Sequence, residues 1–72
     1  MSIAEYNGKI PENIRKIIAE KGFKQGFIAK RAGMTDQQLT DIVNGRRIIK
    51  VSDVTSLASA LGVGILDIYG EG

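Results

Sequence analysis

Between the helical patterns that end at Ala32 and begin at Asp36 the chain has only Gly33, Met34 and Thr35. A connection this short cannot let two helices lie side by side. It forces a steep angle between them, and that constraint decides most of what this chain can become. The turn needs a residue that tolerates positive φ, which Gly33 supplies. Close helix crossing needs a small residue on the first helix, and Ala29 stands four before the glycine. The wedge between the helices needs apolar groups before, within and after the turn. Ile28, Ala32, Met34, Leu39 and Ile42 fall at those places.

The rest of the chain is also helical in pattern. No stretch alternates apolar and polar residues long enough to predict a strand. Helices are predicted at about 11–21, 25–32, 36–44, 52–61 and 65–69, with residues 1–9 and 70–72 as tails. Pro11 suits a helix start, and Gly22 closes the first helix. Ile14, Ile17, Ile18 and Lys21 mark one face of it. Ile28, Ala29 and Ala32 form the inner face of the second. Thr35 and Gln38 fit a capping box at the start of the third, whose apolar face is Leu39, Ile42 and Val43. Gly45 ends it. In the loop Arg46–Val51, either Ile48 or Ile49 is expected to tuck inward. Ser52 is expected to cap a fourth helix with Val54, Leu57, Ala58 and Leu61 inward, closed by Gly62. Seventy-two residues allow one domain with one small core. The expected fold is an all-α, compact five-helix globule containing a helix-turn-helix.

Charge is unevenly placed. The net of +2 divides into +1 over residues 1–21, +4 over 22–50 and −3 over 51–72. The basic middle points to a polyanionic partner, or to a surface that is simply solvated. With no cysteine and no histidine, the chain lacks thiolate chemistry and the commonest general base and metal ligand. Asp36 and Asp41 are five apart and do not converge as a helix-borne pair. No phosphate-loop pattern is present. An enzyme is not expected, nor is a cofactor or a metal. Neither a signal peptide nor an apolar run of membrane-spanning length is visible, so a cytoplasmic protein with no membrane partner is expected.

The third helix has an outer face of unusual composition. With Leu39 at the origin of a wheel of about 100° per residue, Ile42 and Val43 lie within roughly 60° of it. Gln37, Asp41 and Asn44 then fall on the far side, flanked by Thr40 and Gln38. A helix entering the major groove leads with its N-terminal turns. Asp36, Gln37, Thr40 and Asp41 are therefore the candidate base readers. The Gln37 amide offers donor and acceptor together to adenine, Asp36 or Asp41 accepts from a cytosine amino group, and Thr40 meets a thymine methyl or a phosphate. Plainer roles compete: Asp36 suits the helix dipole, Gln38 the cap, and Asp41 a pairing with Arg46 or with solvent. Candidate phosphate contacts are Lys24, Gln25, Thr35, Gln38, Asn44, Arg46, Arg47 and Lys50. Lys30 and Arg31 read as solvated surface.

Residues 10–69 resemble the phage repressor and Cro-like helix-turn-helix family, also called the XRE family. The resemblance rests on the turn just described, on "NIRKIIAEKGFKQ" before it, and on "NGRR" and "LASALGVGILDIYG" after it. It implies a lambda-repressor-like fold with the third helix in the major groove, and a Gln25 side chain that clamps phosphate. It implies a prokaryotic or phage transcriptional regulator, in the first place a repressor, that binds double-stranded DNA at a two-fold symmetric operator as a homodimer. The last helix commonly helps form such a dimer, which makes Ile65, Ile68 and Tyr69 the expected dimer surface, with Leu66 expected in the core. The alternative is an antitoxin or other protein-interaction module on the same fold. The sequence departs from the family pattern at Gly26, in the lack of a proline after "NGRR", and in the acidic Asp36 and Asp41. Either a stand-alone Cro-like regulator or a part of a longer repressor fits.

Overall fold

A computed structural model of the chain describes residues 7–70. Among these residues there are five helices and no strand: α1 Ile10–Lys21, α2 Gln25–Arg31, α3 Asp36–Val43, α4 Val51–Leu61 and α5 Ile65–Tyr69. None of them is long and apolar enough to cross a membrane. Helices this short are marginal alone in water, so each persists through the face it buries. Ile14 and Ile18 of α1, Ile28 and Ala29 of α2, Leu39, Ile42 and Val43 of α3, and Val54, Leu57, Ala58, Ala60 and Leu61 of α4 meet in one core. Ile68 joins them from α5, and Ile49 from the loop. Ile17 and Ala32 are half-buried against this core, and Lys21 is exposed. Helix α2 packs on α3 and α4, while α1 packs on α3 and α5.

The turn at Gly33 is the one expected. Its φ is +73°, the left-handed region that glycine enters without steric cost. The Gly33 N–H donates to Lys30 O at 3.2 Å, and the Met34 N–H donates to Ala29 O at 2.9 Å. These two hydrogen bonds to the last turn of α2 close the helix and throw the chain back for α3. Met34 packs half-buried against the core beside it.

Four expectations need correction. First, Ser52 does not cap the fourth helix. The helix starts one residue earlier, with Lys50 at the cap position, and the Asp53 carboxylate accepts the Lys50 N–H at 3.0 Å. A carboxylate three residues into the helix satisfies the orphan donor better than a serine already inside the first turn. Second, residues 1–9 are not wholly a tail. Asn7 is 3% exposed, with its side chain bonded into the loop before α4; residues 1–6 and 71–72 lie outside the described part. Third, Ile68 is not a surface residue. It is 0% exposed, the one fully buried side chain of a five-residue helix that packs on α1 and α4. Fourth, Leu66 is not in the core. It is 61% exposed and Ile65 41% exposed, so the apolar surface of α5 is Ile65 and Leu66, with Tyr69 half-buried. Of the two loop isoleucines, Ile49 is buried and Ile48 exposed.

Candidate nucleic-acid interface

The site is built on α3, and the fixing of α3 comes first. Thr35 Oγ1 accepts the Gln38 N–H at 3.1 Å, and Gln38 Oε1 accepts the Thr35 N–H at 2.8 Å. This reciprocal cap sets where the helix begins. Below it, Leu39 and Ile42 are fully buried and Val43 nearly so. With the inner face locked, the outer face is presented as a rigid ridge: Asp36, Gln37 and Gln38 are exposed, Thr40 and Asp41 half-buried, and Asn44 exposed at the end.

Two side-chain bonds organise the ridge. Gln37 Nε2 donates to Asp41 Oδ1 at 2.9 Å, one helical turn along. Gln25 Nε2, from the first turn of α2, donates to Thr40 Oγ1 at 2.9 Å. The structure thus brings Gln25, Gln37, Thr40 and Asp41 together. Asp41 pairs with Gln37 and not with Arg46, whose link to it is through the backbone alone: the Arg46 N–H donates to Asp41 O at 2.8 Å.

Asp36 takes a different place. A Cβ built on Gly26 would lie 3.4 Å from Asp36 Oδ1, so the carboxylate rests over the first turn of α2. The helix N-terminus favours a negative charge there. Gly26, weak as a helix former, lies beneath it. Thr35 and Gln38 are bonded to each other, yet the Thr35 hydroxyl proton and the Gln38 Nε2 remain free to donate outward.

The basic groups surround the ridge. Lys24 caps α2 through backbone only and is exposed. Beyond the Gly45 turn, Arg46 and Lys50 are exposed, while Arg47 is half-buried with Nη2 3.7 Å from Asp53 Oδ2. Of the paired arginines, Arg46 is therefore the freer cation. Arg31 is not merely solvated: its guanidinium lies 5.5 Å from the centre of the Phe27 ring, and Phe27 in turn packs on Phe23 at 5.9 Å. The spacing of four between these three residues carried that signal. One residue with a role here, Asp53, was not singled out from sequence. Asp53 was visible as an acid three places after Lys50, the pattern of a helix start.

The helix-turn-helix family model matches residues 14–68. The chain belongs to this XRE-type helix-turn-helix family.

Solved structures share the fold. The restriction-modification controller protein C.AhdI from Aeromonas hydrophila superposes with a TM-score of 0.82 at 22% identity, covering 90% of this chain and 97% of that one. The clp gene regulator ClgR from C. glutamicum gives 0.85 at 21% identity, over 92% of this chain and 86% of that one. A hypothetical transcription factor, NHTF from Neisseria, gives 0.81 at 22% identity, over 94% and 78%. No curated protein matches the sequence. At these identities the neighbours speak for the fold, and the roles of individual residues rest on the geometry above.

Proposed function

We propose that this helix-turn-helix protein is a sequence-specific, duplex-DNA-binding transcriptional regulator that places α3 in the major groove. One observation carries the reading: α3 is held by its cap and its buried face, and on its other side exposed Gln37 is bonded to half-buried Asp41, beside Thr40, which is bonded to Gln25. A helix that only filled a core would not need such a polar side. Gln37 is the principal reader. One of its amide protons is taken by Asp41; its carbonyl oxygen is left to accept from adenine N6–H and its second proton to donate to adenine N7. Asp36, over α2, contributes little to base reading. Gln25 and Lys24 meet one phosphate run; Arg46, Lys50, Asn44 and, in part, Arg47 meet the other. The free donors of Thr35 and Gln38 add to the first.

One domain of this size spans a half-site, so a two-fold symmetric operator bound by a homodimer is part of the proposal. Ile65, Leu66 and Tyr69 are its dimer surface. The same exposed pair, Ile65 and Leu66, supports a second reading as a protein-interaction module, which a co-purifying small protein would favour. A cytoplasmic, non-enzymatic protein fits both.

Selection from a randomised duplex library, followed by a salt titration of the winning site, tests the reading. The expected result is an enriched symmetric site whose affinity falls steeply with salt. Weak binding shared equally by all duplexes overturns it.

A further inference from the structure

Asn7 is the one buried polar side chain among the described residues, and nothing in the interface so far uses it. Its carboxamide reaches far along the chain. Nδ2 donates to Arg47 O at 2.7 Å, and Oδ1 accepts the Ile49 N–H at 2.9 Å. The two backbone groups flank Ile48, whose side chain is exposed. Neither lies in a helix, so neither has a helical partner. One planar amide therefore satisfies an acceptor and a donor of the same loop, as the edge of a strand would.

The chemistry explains the residue. The position is buried and calls for one donor and one acceptor on a short fork. Asparagine supplies both without burying a charge. Aspartate would oppose a carboxylate oxygen to the Arg47 carbonyl, and leucine would leave both loop groups unpaired.

The loop is pinned at its other end too. Asp53 Oδ2 accepts the Lys50 N–H and stands 3.7 Å from Arg47 Nη2, and Ile49 is buried between. The backbone over 47–50 is thus held by Asn7, Ile49 and Asp53, while Arg46 and Lys50 point outward from it. The direction of those cations relative to α3 follows from the backbone that carries them.

We propose that Asn7 is a positioning residue for DNA binding. By clamping residues 47–49 it fixes where Arg46, Arg47 and Lys50 meet the phosphates, so affinity depends on it and base preference does not. This rests on the DNA-binding reading above.

The test begins with amide exchange on the wild-type protein. The Ile49 N–H is expected to exchange as slowly as the core helical amides; exchange at the rate of an exposed loop amide overturns the clamp. Binding of Asn7→Ala and Asn7→Asp is then measured against the wild-type site and a scrambled duplex, each below the variant's unfolding midpoint. For Asn7→Ala the slope of log affinity on log salt falls by about one, which is roughly a tenfold loss of affinity at 0.1 M salt. That loss is the same on both duplexes. Asn7→Asp keeps the Ile49 bond and loses the Arg47 one, so its loss is intermediate and its Ile49 amide stays protected. A loss of stability alone would leave the salt slope at its wild-type value. A wild-type slope in a folded variant, or a changed ranking of base substitutions in the site, overturns the proposal. Should Asn7→Ala not fold, Asn7→Asp and the wild-type exchange decide it. A wild-type protein that binds no duplex overturns the DNA reading itself and this proposal with it, an outcome read without any variant.

Discussion

The side chain at Ile68 separates two views of the last helix, and Ile68→Ala tests them. Helix α5 has five residues, too few to persist without docking. Its single fully buried side chain is Ile68, and α5 packs on α1 and α4. Isoleucine to alanine removes roughly three carbons, or about 2.4 kcal/mol at about 0.8 kcal/mol for each buried CH2. A residual cavity of ~40–60 Å³ adds ~1–1.5 kcal/mol at about 24 cal/mol per Å³. The sum is about 3–4 kcal/mol. A domain of this length has roughly 4–11 kcal/mol of stability in all, at about 0.05–0.15 kcal/mol per residue. Ile68→Ala is therefore expected to consume a large share of it. The assay is denaturant unfolding followed by circular dichroism, at several protein concentrations. A core residue lowers the midpoint by the same free energy at every concentration. A dimer residue lowers it only where dimer is populated, and leaves the monomer untouched. Leu66→Ala, exposed in the monomer, serves as the control and is expected within about 0.5 kcal/mol of wild type at low concentration. An Ile68→Ala protein with unchanged monomer stability would refute the placement of Ile68 in the core.

Further outcomes follow from the interface. Thr35→Ala removes the α3 cap and is expected to cost about 1 kcal/mol in denaturant unfolding. Gln37→Ala is expected to relax base preference at one position of each half-site, whereas Arg46→Ala weakens all duplexes alike and lowers the salt slope by about one. Equal losses on every duplex from both would falsify this division of labour. Gly33→Ala meets no atom within 4 Å, so its cost is backbone strain at φ +73°, about 1–2 kcal/mol by thermal unfolding. Gly26→Ala, by contrast, brings its new Cβ to 3.4 Å from a carboxylate that can turn aside. It is expected to stabilise α2 by about 0.5 kcal/mol and to leave the α3 face in place.

Local chemistry was enough to determine the five helices and the turn between α2 and α3 from sequence. A glycine that must take positive φ, a threonine and glutamine three apart, and apolar residues at spacings of three and four each act within a few residues of themselves. The outer face of α3 was legible for the same reason: once Leu39, Ile42 and Val43 point inward, helical geometry alone sends Gln37, Asp41 and Asn44 outward. The resemblance of the chain to the repressor family rested on those same local features.

What only the tertiary structure decided depends on partners distant along the chain. The periodicity of α5 offers Ile65, Leu66, Ile68 and Tyr69 almost equally, and a five-residue helix has too few turns for a pattern to choose among them. The choice of Ile68 is made by where α1 and α4 lie. Asn7 reads as part of a polar tail until it is seen beside residues 40 and 42 places away. In each case a side chain able to serve in either place was assigned its place by long-range packing, which no short window of sequence contains.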